Sequence, residues 1–206
     1  MNQKNNNSMC WNKDVSLATY FFGLVCAVVA LAKNLVPLRF VVFFMAFTTI
    51  QLMEHHLWKN LDDPDKNHFW STATLLVLTS IPITATLAIA NPTARVYAFL
   101  AALVGFTVLL VSTWKARGSE DTTTGSDGHL EYRFLPQTIW YAIGWFGFFF
   151  AGTLLSNTLY LQIFSVLSCL ASYMIVKNRG SFNSYWCYTA VAVWFLVLIQ
   201  KPPRSR

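Results

Sequence analysis

Residues 15–32 have the sequence VSLATYFFGLVCAVVALA, and none of these eighteen side chains is charged. At a rise of about 1.5 Å per residue, an α-helix of this length spans about 27 Å, close to the thickness of the hydrocarbon core of a bilayer. The run is bounded by Lys13-Asp14 and by Lys33-Asn34. The stretch therefore predicts a transmembrane helix, with residues 1–14 forming a polar N-terminal tail.

Six further apolar runs follow along the chain, at 36–59, 69–90, 94–114, 135–155, 159–176 and 182–199. Most turns between them are too short to hold a domain, so consecutive helices are expected to be antiparallel neighbours. Residues 115–133 are longer, and their Gly, Ser, Thr and acidic residues are typical of a flexible linker. The sequence predicts an all-α, multi-pass integral membrane bundle of seven transmembrane helices over residues 15–200, with a short tail at 201–206.

The composition supports the same class. The 206-residue chain is 55% hydrophobic and only 12% charged, which is about half the charged share of a soluble domain. Soluble enzymes, nucleic-acid-binding proteins and disulfide-stapled secreted domains are therefore excluded as descriptions of the whole chain. The net charge of +6 comes mainly from loop residues that would lie beside lipid headgroups, and no helix collects enough Lys and Arg to bind a nucleic acid.

Seven spans place the two termini on opposite faces of the membrane. The face with the N-terminal tail carries nine of the fifteen Lys and Arg residues and all of the loop acids, and the other face carries six basic residues and no acid. The number of Lys and Arg favours the first face as cytoplasmic, whereas net charge favours the second. The sequon Asn6-Asn7-Ser8 requires an exterior or luminal N-terminus if it is glycosylated. We expect that orientation, with the C-terminus in the cytoplasm.

The most informative polar segment within a predicted span is 48–58, with the sequence TTIQLMEHHLW. Offsets of three, four and seven residues place four side chains on one side of the helix: Gln51, Glu54, His55 and Trp58. Glu54 is the only acidic residue within a predicted span, and an ionisable group at membrane depth indicates a functional site because its burial is costly. The alternative is structural, because His55 and Trp58 are near the interface, where such side chains are common anchors.

Three histidines at this face are candidate metal ligands: His55, His56 and His68. Zinc sites use three or four ligands, and the sequence contains no HExxH motif. Adjacent histidines point about 100° apart on a helix, so at most one of His55 and His56 is expected to join Glu54. A metal-dependent membrane lipid hydrolase is therefore disfavoured, no cofactor is predicted, and a non-enzyme is favoured. A retinal photoreceptor is excluded because the last span contains no lysine to hold the retinal.

Three short motifs occur together in this chain: Cys10-Trp11 before the first helix, Gln51 with Glu54 and Trp58 in the second, and Trp186-Cys187 in the last. The combination resembles an uncharacterised group of seven-helix membrane proteins found in large DNA viruses and unicellular eukaryotes. Members of that group show a Cys-Trp-Asn/Ser start, a Gln-x-x-Glu-x-x-x-Trp helix and a Trp-Cys pair near the end. The resemblance implies a seven-helix bundle and no established activity.

The favoured interpretation of function is a channel or transporter-like protein for a small solute or ion, with Glu54 as a gating or proton-coupling carboxylate. A non-catalytic membrane scaffold or receptor-like module, in which the polar side chains only hold helices together, stays open. The lipid bilayer is the expected partner, nucleic acid is not, and the sequence does not determine the oligomeric state.

Cys10 and Cys187, each beside a tryptophan, are expected on one face of the bundle. An oxidising compartment would permit a disulfide between them. The favoured alternative is two unpaired thiols, with Cys10-Trp11 packed against the Trp186-Cys187 end of the bundle.

Overall fold

The computed structural model describes residues 12–114, 121–135, 139–176 and 181–199. Within these ranges the chain is all-α apart from one small hairpin. The helices are α1 (Lys13–Ala32), α2 (Leu38–Lys59), α3 (Pro64–Ala85), α4 (Pro92–Trp114), α5 (Ile139–Leu154), α6 (Leu159–Ile175), α7 (Phe182–Val191) and α8 (Val193–Leu198). The strands are β1 (Thr122–Thr124) and β2 (Leu130–Tyr132). A short 3-10 turn, Thr86–Ala88, extends α3.

Helices α7 and α8 are separated by Ala192 alone and together form one apolar rod, so the described residues form seven helical rods, one in each apolar run. The rods of α1 to α4 are long and apolar enough to cross a membrane, whereas the other three are shorter. The prediction of an all-α chain is confirmed, and the helices lie at the predicted positions within a few residues.

The start of α3 differs from the sequence prediction. The apolar runs at 36–59 and 69–90 predict a polar loop at 61–68 and a helix that begins at Phe69, but α3 begins at Pro64. The side chain of Asp63 caps the helix by accepting a hydrogen bond from the backbone N–H of Lys66. Proline at the first helical position stabilises a helix start because its missing N–H would have no partner there. Pro64 therefore starts the helix.

Helix α2 lies at the centre of the bundle. In the most apolar stretch of each helix, 67% of the residues of α2 are buried, against 28% in α1 and 11% in α4. Around α2 the aromatic rings of Phe43, Phe47, Phe149 and Trp186 pack with centroid separations of 5.0 to 6.2 Å. We call these four residues the aromatic core. It ties α2 to α5 and α7.

Beside the apolar core, large apolar side chains cover much of the outside of the bundle, and several polar side chains are buried. Large apolar side chains on the outside of α1 and α4 are more than half exposed, including Phe21, Val25, Val104 and Val111. Polar side chains with no exposed surface include Thr48, Gln51, Ser71 and Thr74. Soluble proteins rarely expose contiguous apolar patches of this extent. The distribution is compatible with helices that face hydrocarbon.

The segment 115–133 is not a flexible linker over the part that the structure describes. Strands β1 and β2 pair antiparallel, with Thr122 opposite Tyr132. The turn between them uses Gly128 at a φ of 80°, a conformation that glycine adopts without strain. Asp-Gly between short runs of β-forming residues is a strong hairpin signal. The polar composition of residues 115–133 predicts a linker, whereas the local Asp-Gly pattern predicts the hairpin.

Two polar side chains of α3 anchor this hairpin. Asn67 Nδ2 donates a hydrogen bond to the carbonyl oxygen of Thr122 at 2.9 Å. The backbone N–H of Thr122 in turn donates to Ser71 Oγ at 3.1 Å. Asn67 and Ser71 are both buried. The hairpin is therefore docked on the end of the bundle where α2 ends and where α3 and α7 begin.

Candidate functional site

The candidate site is built around Glu54, in the last turns of α2. The central position of α2 buries the face that carries Gln51 and Glu54, whose side chains are 0% and 3% exposed. The three-residue spacing places both side chains on the same side of the helix. A carboxylate is thus held inside the bundle close to the end covered by the hairpin.

Tyr132 of strand β2 reaches this carboxylate from the hairpin. Its hydroxyl donates a hydrogen bond to Glu54 Oε1 at 2.5 Å. The two-residue period of the strand turns Leu130 and Tyr132 inward and leaves Glu131 on the opposite face, where it is partly exposed. Burial and the negative charge of Glu54 raise the pKa of Tyr132 well above its ordinary value. The phenol therefore keeps its proton and acts as a hydrogen-bond donor at physiological pH.

Helix α7 completes the site with Ser184 and Cys187, three residues apart on one face. The Ser184 side chain interacts with both Glu54 and Tyr132, and the Cys187 thiol lies beside the same two groups. Both side chains are buried. We call Gln51, Glu54, Tyr132, Ser184 and Cys187 the Glu54 cluster.

The amide of Gln51 is the one unsatisfied member of the Glu54 cluster. It lies next to Glu54, but the geometry falls short of a hydrogen bond. Among the described residues, neither its Nε2 nor its Oε1 has a hydrogen-bond partner. A buried amide without a partner opposes folding, so these two atoms are suited to meet a ligand or water that enters the cluster.

The predicted polar face of α2 divides into an inner and an outer half. Gln51 and Glu54 point into the bundle, whereas His55 Nδ1 bonds to the carbonyl oxygen of Lys13 at 2.7 Å. Trp58 is half-buried and packs against the edge of the apolar core. His55 and Trp58 therefore hold the start of α1 and the end of α2 and do not join the Glu54 cluster.

Of the three histidines proposed as metal ligands, His55 and His56 lie edge to face, with ring centroids 5.1 Å apart, and each of the three also has a partner of its own. The His56 ring stacks on Trp70, with centroids 3.9 Å apart, and His68 Nδ1 lies 2.9 Å from Asp121 Oδ1. Across the residues that the structure describes, no group of three or more His, Cys, Asp or Glu is arranged to hold a metal ion. Among these described residues, the structure therefore does not arrange His55, His56 and His68 as a three-histidine metal site.

The proposed pairing of Cys10 with Cys187 involves a residue outside the described ranges, since Cys10 and Trp11 both precede residue 12. Among the described residues Cys187 has no disulfide partner, and its side chain is only 1% exposed. It lies in the Glu54 cluster, beneath the hairpin. The neighbouring Trp186 belongs to the aromatic core.

Sequence reasoning found Gln51 and Glu54 but missed Tyr132 and Ser184. The signal for Tyr132 was the alternation of β2 after an Asp-Gly turn, which predicts an inward-facing tyrosine once the hairpin is recognised. The sequence contains no comparable signal for Ser184. Serine is common near the start of a helix for structural reasons, so its presence there does not indicate a site.

Comparison of the chain with models of protein families, with curated proteins and with solved structures found no match. The resemblance to the seven-helix group of large DNA viruses and unicellular eukaryotes therefore stays a prediction.

Proposed function

We propose that the chain is a seven-span integral membrane protein that moves a small solute or ion, with Glu54 as the group that takes up and releases a proton during transport. The observation that carries the proposal is the Tyr132–Glu54 hydrogen bond. The carboxylate is buried among helices, but its shortest contact comes from a hairpin outside them. An ionisable group at membrane depth marks an ion or proton pathway more often than a packing contact.

Support for seven spans comes from the lengths and exposure of the rods. The three shorter rods contain 16 or 17 residues, which corresponds to about 25 Å of helix. That length crosses most of a hydrocarbon core, and thinning of the bilayer or flanking interfacial residues accommodate the remainder. Exposed apolar side chains also cover α6, as Leu167, Leu170 and Met174 illustrate. We keep the N-terminus exterior or luminal as part of the proposal.

The proposed cycle depends on movement of the hairpin. In the closed state, Tyr132 covers Glu54, and the aromatic core lies on the other side of the Glu54 cluster along α2. When the hairpin lifts, Tyr132 leaves with it, and water reaches Glu54 and the unsatisfied amide of Gln51. Proton exchange then takes place at the carboxylate. Opening at the opposite end requires the aromatic core to part, so that the two ends open alternately.

The test is proton movement in vesicles. Purified protein is reconstituted into phosphatidylcholine vesicles that contain a pH-sensitive dye, and the internal pH is followed after a potassium, sodium or chloride gradient is applied. We expect the wild-type protein to change the internal pH faster than empty vesicles do. Glu54→Gln keeps the size of the side chain but removes its ionisation, and we expect it to abolish this difference.

Glu131→Gln is the matched control, because Glu131 is a carboxylate of the same strand that faces the surface and interacts with Arg133. It should leave proton movement unchanged. The proposal is wrong if Glu54→Gln moves protons at the wild-type rate. It is also wrong if wild-type vesicles behave as empty ones under every gradient, which is the outcome expected of a scaffold or receptor-like module.

A further inference from the structure

Two arginines approach each other at the end of the bundle opposite the hairpin. Arg39 lies in the first turn of α2, and Arg95 lies in the first turn of α4. Both side chains are half-buried, and the positive charge of Arg95 acts unfavourably on the Arg39 guanidinium. Like charges held at a partly buried position destabilise a fold unless an anion lies between or beside them.

No described residue supplies that anion. The acidic residues of the described ranges lie at the hairpin end: Asp14, Glu54, Asp62, Asp63, Asp65, Asp121, Asp127 and Glu131. In this part of the chain, neither Arg39 nor Arg95 forms an ion pair. Arg39 Nε is also buried, and none of the described residues forms a hydrogen bond with it. Arg39 therefore presents an unused donor beside a second cation.

The surroundings of the pair indicate which anion fits. The Arg39 guanidinium lies over the Phe40 ring, 5.2 Å from its centroid. Exposed apolar side chains follow both arginines along their helices, Val42 on α2 and Val96 and Leu100 on α4. Tyr97, 70% exposed, is placed as an aromatic residue at a membrane interface. Charged donors that border an exposed apolar surface suit an anion attached to hydrocarbon chains.

We infer that Arg39 and Arg95 together bind the headgroup phosphate of an anionic phospholipid, whose headgroup carries no cation to repel them as choline does, with the acyl chains lying along the exposed faces of α2 and α4. Guanidinium groups form strong charge-assisted hydrogen bonds to phosphate oxygens. The inference rests on the proposed membrane location and is independent of transport through the Glu54 cluster. It also supplies the counter-charge that the described residues lack.

Native mass spectrometry of the delipidated protein tests this site. Phosphatidylglycerol and phosphatidylcholine with identical acyl chains are titrated separately, and the affinity for the first bound lipid is compared. Each basic contact at an anionic surface contributes about fivefold in affinity, so two predict a preference for phosphatidylglycerol of about 30-fold. Arg39→Gln with Arg95→Gln should remove this preference, and the two corresponding Arg→Lys changes should retain most of it.

Arg133→Gln is the control, because it removes a positive charge at the hairpin end and should leave the preference intact. If the double Gln variant fails to fold, Arg95→Gln alone should reduce the preference about fivefold. An unchanged preference in either folded variant overturns the inference. Glycerol 3-phosphate that binds as tightly as the lipid also overturns it, since the site would then recognise a free phosphate. The assay measures no flux, so its failure is distinct from failure of the transport proposal.

Discussion

Replacing Tyr132 with phenylalanine removes one hydroxyl and leaves the packing of the ring unchanged. In the wild type that hydroxyl donates to Glu54 Oε1, and both side chains are almost completely buried. The Phe ring retains its contact with Phe134, whose centroid lies 5.3 Å away. The change therefore removes the hydrogen bond between the hairpin and α2, together with the contact of the hydroxyl with Ser184 on α7, and we expect it to favour the open hairpin.

In the state where Glu54 is ionised, the magnitude follows from the loss of a hydrogen bond to a charged acceptor, which contributes about 1.5 to 3 kcal/mol. The open state still lets water solvate Glu54, so the loss falls on the closed state. The equilibrium between closed and open hairpin should shift by about 10- to 150-fold toward the open form. A shift of this size is large enough to detect without unfolding of the bundle.

Cys187 provides the assay, because it lies beneath the hairpin and is 1% exposed. In a background where Cys10, Cys26 and Cys169 are replaced by serine, a water-soluble thiol reagent labels Cys187 only when the hairpin opens. The labelling rate should therefore rise in Tyr132→Phe by the same factor as the opening equilibrium. Tyr97→Phe is the control, since Tyr97 is exposed on α4, and its labelling rate should equal that of the wild type.

A labelling rate in Tyr132→Phe equal to that of the wild type would refute the reasoning. Such a result would mean that the Tyr132–Glu54 bond does not hold the hairpin closed. A rise in labelling accompanied by loss of helical circular dichroism would also count against it, because the bundle itself would then have opened.

Two further predictions concern packing and pH. In Gly152→Ala, the new Cβ would overlap the backbone carbonyl of Ala85 and separate α5 from α3, so the thermal midpoint of unfolding should fall. The control is Gly147→Ala, whose Cβ meets nothing within 4 Å and which should leave the midpoint unchanged or higher. Equal midpoints for the two variants would contradict this prediction. Burial lowers the pKa of His129 despite the opposing effect of Asp127, so His129 binds a proton more readily when the hairpin opens, and docking should weaken as pH falls below about 6.5. The ratio of wild-type to His129→Gln labelling rates at Cys187 should therefore rise from about pH 7.5 to about pH 5.5, and a constant ratio would exclude His129 as the cause.

Much of the fold was predictable because it is determined locally. An uncharged run of about 20 residues predicts a helix in hydrocarbon, whatever its neighbours are. The start of α3 and the hairpin are also local, being encoded by Asp63-Pro64 and by Asp127-Gly128. The polar composition of both segments predicts loops, whereas the helix cap at Asp63-Pro64 and the Asp-Gly turn predict a helix start and a hairpin. In both segments the short pattern determines the structure.

The candidate site was predictable only in part because its contacts are not local. Helical spacing placed Gln51 and Glu54 on one face, but the same spacing also included His55 and Trp58. Whether a side chain on this face points into the bundle or toward its rim depends on where the start of α1 and the hairpin cover the end of α2. Tyr132 is 78 residues from Glu54 in the chain, and no periodicity connects them. Only the docking of the hairpin on α3 brings the two together.

The polar side chains of the Glu54 cluster are not needed to stabilise the contact between the hairpin and α2. A buried hydrogen-bonded pair can often be replaced by apolar side chains of similar shape with no loss of stability. The surrounding contacts are already apolar, since Leu130 and Phe134 are buried on the same hairpin. Gln51 adds two buried amide atoms that have no hydrogen-bond partner among the described residues, which oppose folding further. Packing alone would favour leucine or phenylalanine at these positions. A carboxylate, a phenol and an amide at one point fit the proposed function, in which a proton and a solute reach them when the hairpin opens.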